Sequence, residues 1–159
     1  MIELDLHDPE AQIAFGARLA ACLPAPCVIY LEGDLGTGKT TLTRGILSGL
    51  GHPGAVRSPT YTLIEPYQIG DRAVYHLDLY RLTDREELEY LGLFDLLGEE
   101  SRWIIEWPDR GAGLLPPPDL RVQIDHLSEG RRLRLRDCSM TGNAILDALS
   151  AHIRATLRH

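Results

Sequence analysis

A nine-residue stretch constrains this chain more than any other, since residues 33–41 read Gly-Asp-Leu-Gly-Thr-Gly-Lys-Thr-Thr. It fits the phosphate-binding pattern G-x-x-x-x-G-K-[ST] at every fixed position. The apolar run 27–31 before it predicts a buried strand, and apolar residues at helical spacing in 42–50 predict a helix that stops at Gly51. The chain should therefore pass from a strand through a glycine loop into a helix N-terminus, a geometry that favours a polyphosphate.

The residue types within this loop predict distinct roles. Gly36 and Gly38 permit the positive φ angles and close backbone approach that a phosphate requires. Lys39 is the only lysine in the chain, because the other fifteen of the sixteen basic residues are arginine, and a flexible ammonium suits a phosphate contact. The hydroxyl of Thr40 is expected to coordinate Mg²⁺. The predicted nucleotide-binding residues of the loop are Asp34, Leu35, Gly36, Thr37, Gly38, Lys39, Thr40 and Thr41. The dinucleotide fingerprint fits less well, because Thr41 stands where its third glycine belongs.

Length and composition narrow the class of protein. A chain of 159 residues with 44% hydrophobic and 25% charged residues is expected to form one soluble domain over 1–159. No apolar run approaches membrane-spanning length and the N-terminus does not resemble a signal peptide, so we expect a cytoplasmic protein. Cys22, Cys27 and Cys138 lack zinc-ligand spacing and are expected to stay reduced. A net charge of −7 argues against a free-standing nucleic-acid binder, but not against action on nucleic acid through a partner.

Strand and helix patterns interleave along the chain. Strands are predicted at 2–6, 27–31, 62–64, 73–79, 103–105, 120–124 and 132–136. Helices are predicted from Asp8 to about Leu23, after the loop, after the capping box Thr83-x-x-Glu86 with Leu88, Leu91, Phe94 and Leu96 on its apolar face, and over 143–157. The pattern predicts an α/β protein: a P-loop NTPase-like three-layer sandwich with a mainly parallel sheet and an antiparallel C-terminal hairpin.

Two acidic residues end predicted strands where ligands bind in open α/β sheets. Asp78 closes an apolar run as a Walker-B aspartate does, and Glu106 follows the run 103–105. We predict that Lys39, Asp78 and Glu106 are the catalytic residues, with a carboxylate holding Mg²⁺ and a carboxylate orienting the attacking water. The alternative for each acid is a solvated strand end. His76 is interpreted as a packed or edge histidine rather than a ligand.

Two further segments allow a functional and a plain interpretation. Ser58, Thr60 and Tyr61 flank Pro59 between the loop helix and the Asp78 strand, and form either a switch segment that senses the γ-phosphate or an ordinary turn. The arginines of the last strand, at 132, 134 and 136, share one face. A solvated, charge-protected edge is favoured there over a docking face for an anionic partner.

Taken in order, these blocks resemble the TsaE (YjeE) family. The blocks are the loop, Ser-Pro-Thr-Tyr-Thr-Leu at 58–63, Tyr-His-Leu-Asp-Leu-Tyr-Arg-Leu at 75–82, Glu-Glu-Leu-Glu at 86–89 and Glu-Trp-Pro at 106–108. The resemblance implies a small bacterial ATPase needed for the threonylcarbamoyl modification of the adenosine next to the anticodon in ANN-decoding tRNAs. It also implies ATP and Mg²⁺ as cofactors, TsaD and TsaB as partners, tRNA contact only through that complex, and no membrane. By position, it implies that Thr40 and Glu106 coordinate Mg²⁺ and that Pro9 and Gly130 lie near the adenine.

Three function classes compete for this pattern. An ATPase accessory subunit that is slow alone and stimulated by its partners fits best. A small-molecule kinase of the P-loop class is the alternative, although no obvious insertion supplies an arginine-bearing lid. A GTPase is third, because its guanine-reading Asn-Lys-x-Asp cannot occur when the only lysine is Lys39 and the only asparagine is Asn143.

Overall fold

The computed structural model describes residues 1–57, 59, 62–90, 92–93 and 100–157. Its strands are β1 Ile2–Leu6, β2 Cys27–Glu32, β3 Ile64–Ile69, β4 Arg72–Asp78, β5 Arg102–Glu106, β6 Leu120–His126 and β7 Arg131–Asp137. Its α-helices are α1 Pro9–Ala20, α2 Lys39–Gly49, α3 Glu86–Tyr90 and α4 Met140–Leu157, and Pro108–Gly111 forms a 3-10 helix. None of the helices among these residues combines the length and the apolar character needed to cross a membrane.

All the strands join one seven-stranded sheet in the order β1-β7-β6-β2-β5-β4-β3. The four central strands, β6, β2, β5 and β4, run parallel. The C-terminal hairpin pairs β6 with β7 antiparallel, and β1 adds to β7 as the outer strand. The predicted fold class, with its mainly parallel core and C-terminal hairpin, is confirmed. A second antiparallel pair, β3 with β4, forms the opposite edge and was not predicted.

The sheet separates two apolar clusters, because successive side chains of a strand point to opposite faces. On one face, apolar residues of α1, α2 and α4 pack against the strands; this cluster includes Phe15, Ile46 and Leu146. On the other face, α3 and the segment after β4 cover β2, β5 and β4 with residues such as Leu79 and Leu88. This second layer is the thinner of the two in the described part of the chain.

The ends of several elements differ from prediction. The predicted strand 62–64 is wrong: β3 begins at Ile64, and Leu63 before it has a positive φ of 64°. α1 ends at Ala20 rather than near Leu23. At α3, the capping acceptor is Asp84 Oδ1, which receives the Glu86 N–H, and not the predicted Thr83.

The last helix starts earlier than its apolar pattern predicts. α4 begins at Met140, three residues before the predicted start at Asn143. Ser139 explains the difference, because its Oγ accepts the Gly142 N–H at 3.0 Å and so caps the first turn. By contrast, α1 starts as predicted, with Asp8 Oδ1 accepting the Ala11 N–H at 2.8 Å and Pro9 in the first turn. The predicted helix residues Leu91, Phe94 and Leu96 lie outside the described residues.

Candidate nucleotide site

The glycine loop between β2 and α2 has a backbone that only glycine adopts readily. Gly33, Gly36 and Gly38 have φ angles of 150°, 80° and 97°. Gly38 is the N-cap of α2, and a Cβ there would lie 2.5 Å from Gln12 Nε2. A Cβ at Gly33 would lie 2.4 Å from the Ile124 carbonyl oxygen of β6. The loop is therefore held against two neighbouring elements and opens the helix as the sequence predicts.

Gln12 of α1 supports this loop through a buried side-chain hydrogen bond. Its side chain is 3% exposed, and its Nε2 donates to the Thr37 carbonyl at 3.1 Å. Thr37 closes the loop on itself, since its Oγ1 donates to the Asp34 carbonyl at 2.9 Å. Sequence reasoning missed Gln12. The available signal was a polar residue within the apolar stripe of a predicted amphipathic helix.

Lys39 lies folded over the loop and is 5% exposed. Its Nζ donates to the Gly33 carbonyl at 2.8 Å and to the Asp34 carbonyl at 3.0 Å. The same ammonium lies 4.3 Å from the centroid of the Trp107 ring, a cation–π contact. Burial lowers the pKa of Lys39, while nearby carboxylates, that of Glu106 first, oppose this shift.

Glu106 ends β5 directly beneath the first turn of α2 and is 2% exposed. The Thr40 hydroxyl lies 3.2 Å from its Oε1 and 3.3 Å from its Oε2. His76 Nε2 lies 2.5 Å from Oε2. The predicted metal ligands Thr40 and Glu106 are therefore in direct contact, and the carboxylate has a buried histidine as its other neighbour.

Asp78 lies beside Glu106, because parallel pairing of β4 and β5 places the two residues in register. Its Oδ1 accepts the Tyr80 N–H at 3.1 Å. Burial, followed by repulsion from the Glu106 carboxylate, raises the pKa of Asp78. Asp78 also lines an open cavity of about 420 Å³ with Leu35, Tyr80, Arg81 and Trp107.

An aromatic stack forms one wall of this cavity. The rings of Tyr80 and Trp107 lie 5.0 Å apart, and the Arg110 guanidinium lies 5.7 Å and 5.9 Å from their centroids. Trp107 has a φ of 56°, which is uncommon for a bulky residue. This backbone turns the chain directly after Glu106 and brings the Trp107 ring over Lys39.

The hairpin turn borders the other end of the loop. A Cβ at Gly130, whose φ is 85°, would meet the Leu6 carbonyl and the His7 Cα, so the turn packs against the chain just before Pro9. From the same turn, Arg131 Nη2 donates to the Gly36 carbonyl at 3.3 Å. Arg131 is not predicted from the sequence, because strand alternation groups the arginines of β7 at 132, 134 and 136.

The structure thus brings together Lys39, Thr40, Asp78 and Glu106. It places Gly130 against the chain just before α1, next to Arg131, which contacts the loop. Ser58, Thr60 and Tyr61, the predicted switch segment, lie outside the described residues. Two arginines of the row in β7 pair with acids of β1: Arg132 Nε lies 2.8 Å from Asp5 and Arg134 Nε 3.1 Å from Glu3. These pairs agree with a solvated charged face.

A strand, a glycine loop with positive φ angles and a helix within a mainly parallel sheet define a protein of the P-loop NTPase-like α/β class. The profile of one family, "Threonylcarbamoyl adenosine biosynthesis protein TsaE", matches residues 6–134. Because the match covers most of the chain, the protein belongs to the TsaE family, and the resemblance of its sequence blocks is confirmed.

Individual relatives agree with this assignment. A tRNA threonylcarbamoyladenosine biosynthesis protein TsaE of Haemophilus influenzae is 45% identical over 150 residues, which cover 91% of this chain and 95% of the relative. The protein of that name in Bacillus subtilis is 38% identical over 125 residues, covering 79% of this chain and 78% of the relative. The crystal structure of Bacillus subtilis YdiB superimposes with a TM-score of 0.82 at 29% identity, covering 95% of both chains.

Proposed function

We propose that this protein binds and hydrolyses Mg²⁺-ATP as an accessory subunit of the bacterial system that installs threonylcarbamoyl on the tRNA adenosine next to the anticodon. Membership of the TsaE family supports the role in tRNA modification. The observation that carries the ATPase part is the convergence of Lys39, Thr40 and Glu106 at the N-terminus of α2. A role in tRNA modification implies a cytoplasmic protein.

The loop supplies the phosphate contacts in this proposal. Backbone N–H groups of 34–41 and the positive end of α2 hold the phosphates. Lys39 would exchange the Gly33 and Asp34 carbonyls for phosphate oxygens, trading neutral acceptors for charged ones. Pro9 and Gly130 would border the adenine, because the hairpin turn lies against the start of α1 and Arg131 links it to Gly36.

The residues at the first turn of α2 fit a magnesium ion. Thr40 Oγ1 and the Glu106 carboxylate are hard oxygen donors already in contact. Within the described residues no group of three or more His, Cys, Asp or Glu side chains could hold a metal by itself. This suits Mg²⁺, which protein sites commonly bind through one or two side chains plus substrate phosphates. The ion would neutralise charge that develops on the phosphates.

Asp78 is the group that we assign to the attacking water. It lies next to Glu106 but is directed to the open cavity beside the loop. Its raised pKa makes its carboxylate a better proton acceptor than an ordinary aspartate, which suits a residue that orients water. We expect Asp78→Asn to impair hydrolysis more than nucleotide binding.

We further propose that hydrolysis is slow in the isolated chain and faster with the TsaD–TsaB pair. A cation supplied at the developing charge is worth roughly 10³ to 10⁵ in rate in P-loop enzymes. Leu35 at the loop tip is 65% exposed and Tyr80 is 37% exposed, so a partner can reach the cavity between them. tRNA would act through the assembled complex.

The test is steady-state ATP turnover of the protein alone, with TsaD–TsaB, and with tRNA added. We expect turnover to require Mg²⁺, to rise with the pair, and to be lost in Lys39→Ala, whose fold is checked by its thermal melt. Mg²⁺-dependent turnover that is equal in all three mixtures would contradict the partner role. Turnover that requires a small-molecule acceptor would indicate the kinase alternative.

A further inference from the structure

His76 is a fully buried histidine that the proposed hydrolysis does not use directly. It lies in β4, its side chain is 0% exposed, and its Nε2 contacts Glu106 Oε2 at 2.5 Å. Its other ring nitrogen, Nδ1, is buried and has no hydrogen-bond partner among the residues that the structure describes. The imidazole therefore makes its polar contact with one residue, the predicted metal ligand.

The sheet register explains why this contact forms. His76 pairs with Ile104 and Asp78 with Glu106 in parallel β4 and β5. Paired residues point to the same face of the sheet, so His76 shares a face with Ile104, and Glu106 shares it too because it lies two residues after Ile104. Ile104 packs in the cluster that α2 covers, so both side chains point toward α2. The Glu106 carboxylate is consequently held from two sides, by the Thr40 hydroxyl of α2 and by the imidazole of β4.

Packing alone does not account for a histidine at this position. A buried ring nitrogen without a partner costs stability, and an apolar side chain of similar size would avoid that cost. A carboxylate that binds a metal ion only accepts hydrogen bonds, so in that role of Glu106 the donor is His76 Nε2. The cost of burying Nδ1 is therefore better explained by a role of His76 in holding Glu106 than by packing.

We propose that His76 is a positioning residue: its Nε2–H orients the Glu106 carboxylate so that the carboxylate and the Thr40 hydroxyl face the same metal ion. The inference rests on the proposed Mg²⁺-ATP function. Partners that hydrogen-bond a metal ligand typically change metal affinity or activity by 10- to 100-fold when they are removed.

Two polar variants separate this role from packing. In His76→Gln the amide nitrogen takes roughly the place of Nε2 and can still donate to Glu106. In His76→Asn the shorter amide takes the place of Nδ1 and cannot reach. His76→Leu removes both nitrogens. Leu77→Val is the matched control, because Leu77 is equally buried in the same strand but faces the opposite cluster.

The readout is nucleotide affinity measured by calorimetry with and without Mg²⁺, beside the thermal melt of each nucleotide-free variant. In His76→Asn and His76→Leu we expect the Mg²⁺ concentration for half-maximal nucleotide binding to rise about 10- to 100-fold. Affinity without Mg²⁺ should not change. The half-maximal Mg²⁺ concentration of His76→Gln should stay close to that of the wild type. Leu77→Val should melt at a lower temperature than the wild type, with an unchanged half-maximal Mg²⁺ concentration.

A second measurement tests whether His76 acts through Glu106. In a Glu106→Gln background, His76→Leu should cause little further loss, because residues that act as one unit are not additive. Full additivity would overturn the proposal, as would equal Mg²⁺ requirements in His76→Gln and His76→Asn. If the wild type shows no Mg²⁺ dependence of nucleotide binding, the proposed function and the positioning role both fall. A half-maximal Mg²⁺ concentration that is unchanged in His76→Leu overturns the positioning role alone.

Discussion

At the scale of single residues, the site combines several groups that are costly to bury. Lys39, Asp78 and Glu106 lie within one small volume, and burial shifts the pKa of Lys39 downward and that of Asp78 upward. Each shift means that the charged form is destabilised by the fold. Lys39 and Asp78 therefore lower the stability of the nucleotide-free protein, a trade-off common at active sites.

Asp78→Asn should consequently stabilise the nucleotide-free protein while impairing hydrolysis. The pKa of Asp78 lies above its ordinary value of 3.8, so the folded state holds this proton more tightly than the unfolded state does. The carboxylate therefore costs no stability below pH 3.8, and its cost grows as the pH rises through the folded-state pKa. At pH 7 the variant should have a higher melting temperature than the wild type. In acid the two melting temperatures should be equal.

Thermal melts from acid to neutral pH measure this effect. Asn keeps the oxygen that accepts the Tyr80 N–H, so the comparison isolates the charge. Asp71→Asn is a control, because Asp71 is an exposed turn residue after β3. A difference between Asp78→Asn and the wild type that is independent of pH would contradict the buried charge as its cause.

At the scale of elements, α1 has a function beyond covering the sheet. It carries Gln12 under the loop, and its N-terminus lies against the hairpin turn at Gly130. The loop is thus supported by α1 below and by Arg131 from the hairpin. These contacts hold the loop in shape before any nucleotide binds, which reduces the ordering cost of binding.

Gln12→Leu should destabilise the protein and weaken nucleotide binding together. It leaves the buried Thr37 carbonyl without its side-chain donor, which costs about 1–3 kcal/mol of unfolding free energy. Urea unfolding and nucleotide titration measure the two effects. Gln68→Leu, at an exposed site in β3, should change neither. Loss of stability with unchanged nucleotide affinity would show that Gln12 supports the fold but not the loop conformation.

The elements also show how much of the fold and of the site can be predicted from the sequence. The loop, β2 and α2 were predictable because their signals are local: glycines, one lysine and an apolar periodicity. The edge strand β3 was not predictable, because Pro66 and the polar residues of this segment do not form a strand pattern. The strand tolerates proline because only one of its sides is paired. The contacts of three site residues could not be predicted from local patterns, because their partners lie 25, 30 and 95 positions away in the chain. These residues are Gln12, His76 and Arg131.

At the scale of the whole molecule, one face of the outer strands is charged, whereas apolar side chains border the cavity beside the loop. The strands β1, β7 and β6 carry acids and arginines on the face opposite α1, and these side chains pair with one another, as Arg134 does with Glu3 and Asp125. Such exposed pairs contribute little stability but keep this part of the sheet hydrated. The exposed residues Leu35 and Tyr80 lie instead beside the loop. We therefore expect the partner to dock there.

Tyr80→Ser should reduce the stimulation of ATP turnover by TsaD–TsaB more than it reduces turnover by the protein alone. Tyr80 is 37% exposed and forms the outer part of the stack with Trp107, so a docked partner would bury its ring, and aromatic anchors commonly dominate such interfaces. Tyr90→Ser is the matched control, because Tyr90 is 89% exposed in α3 and does not line the cavity. The measurement is the ratio of stimulated to basal turnover across a titration of the pair. A loss confined to Tyr80→Ser, reversed at high partner concentration, would place the interface at the cavity. Equal ratios for both variants would exclude this surface and direct attention to the charged face of the sheet.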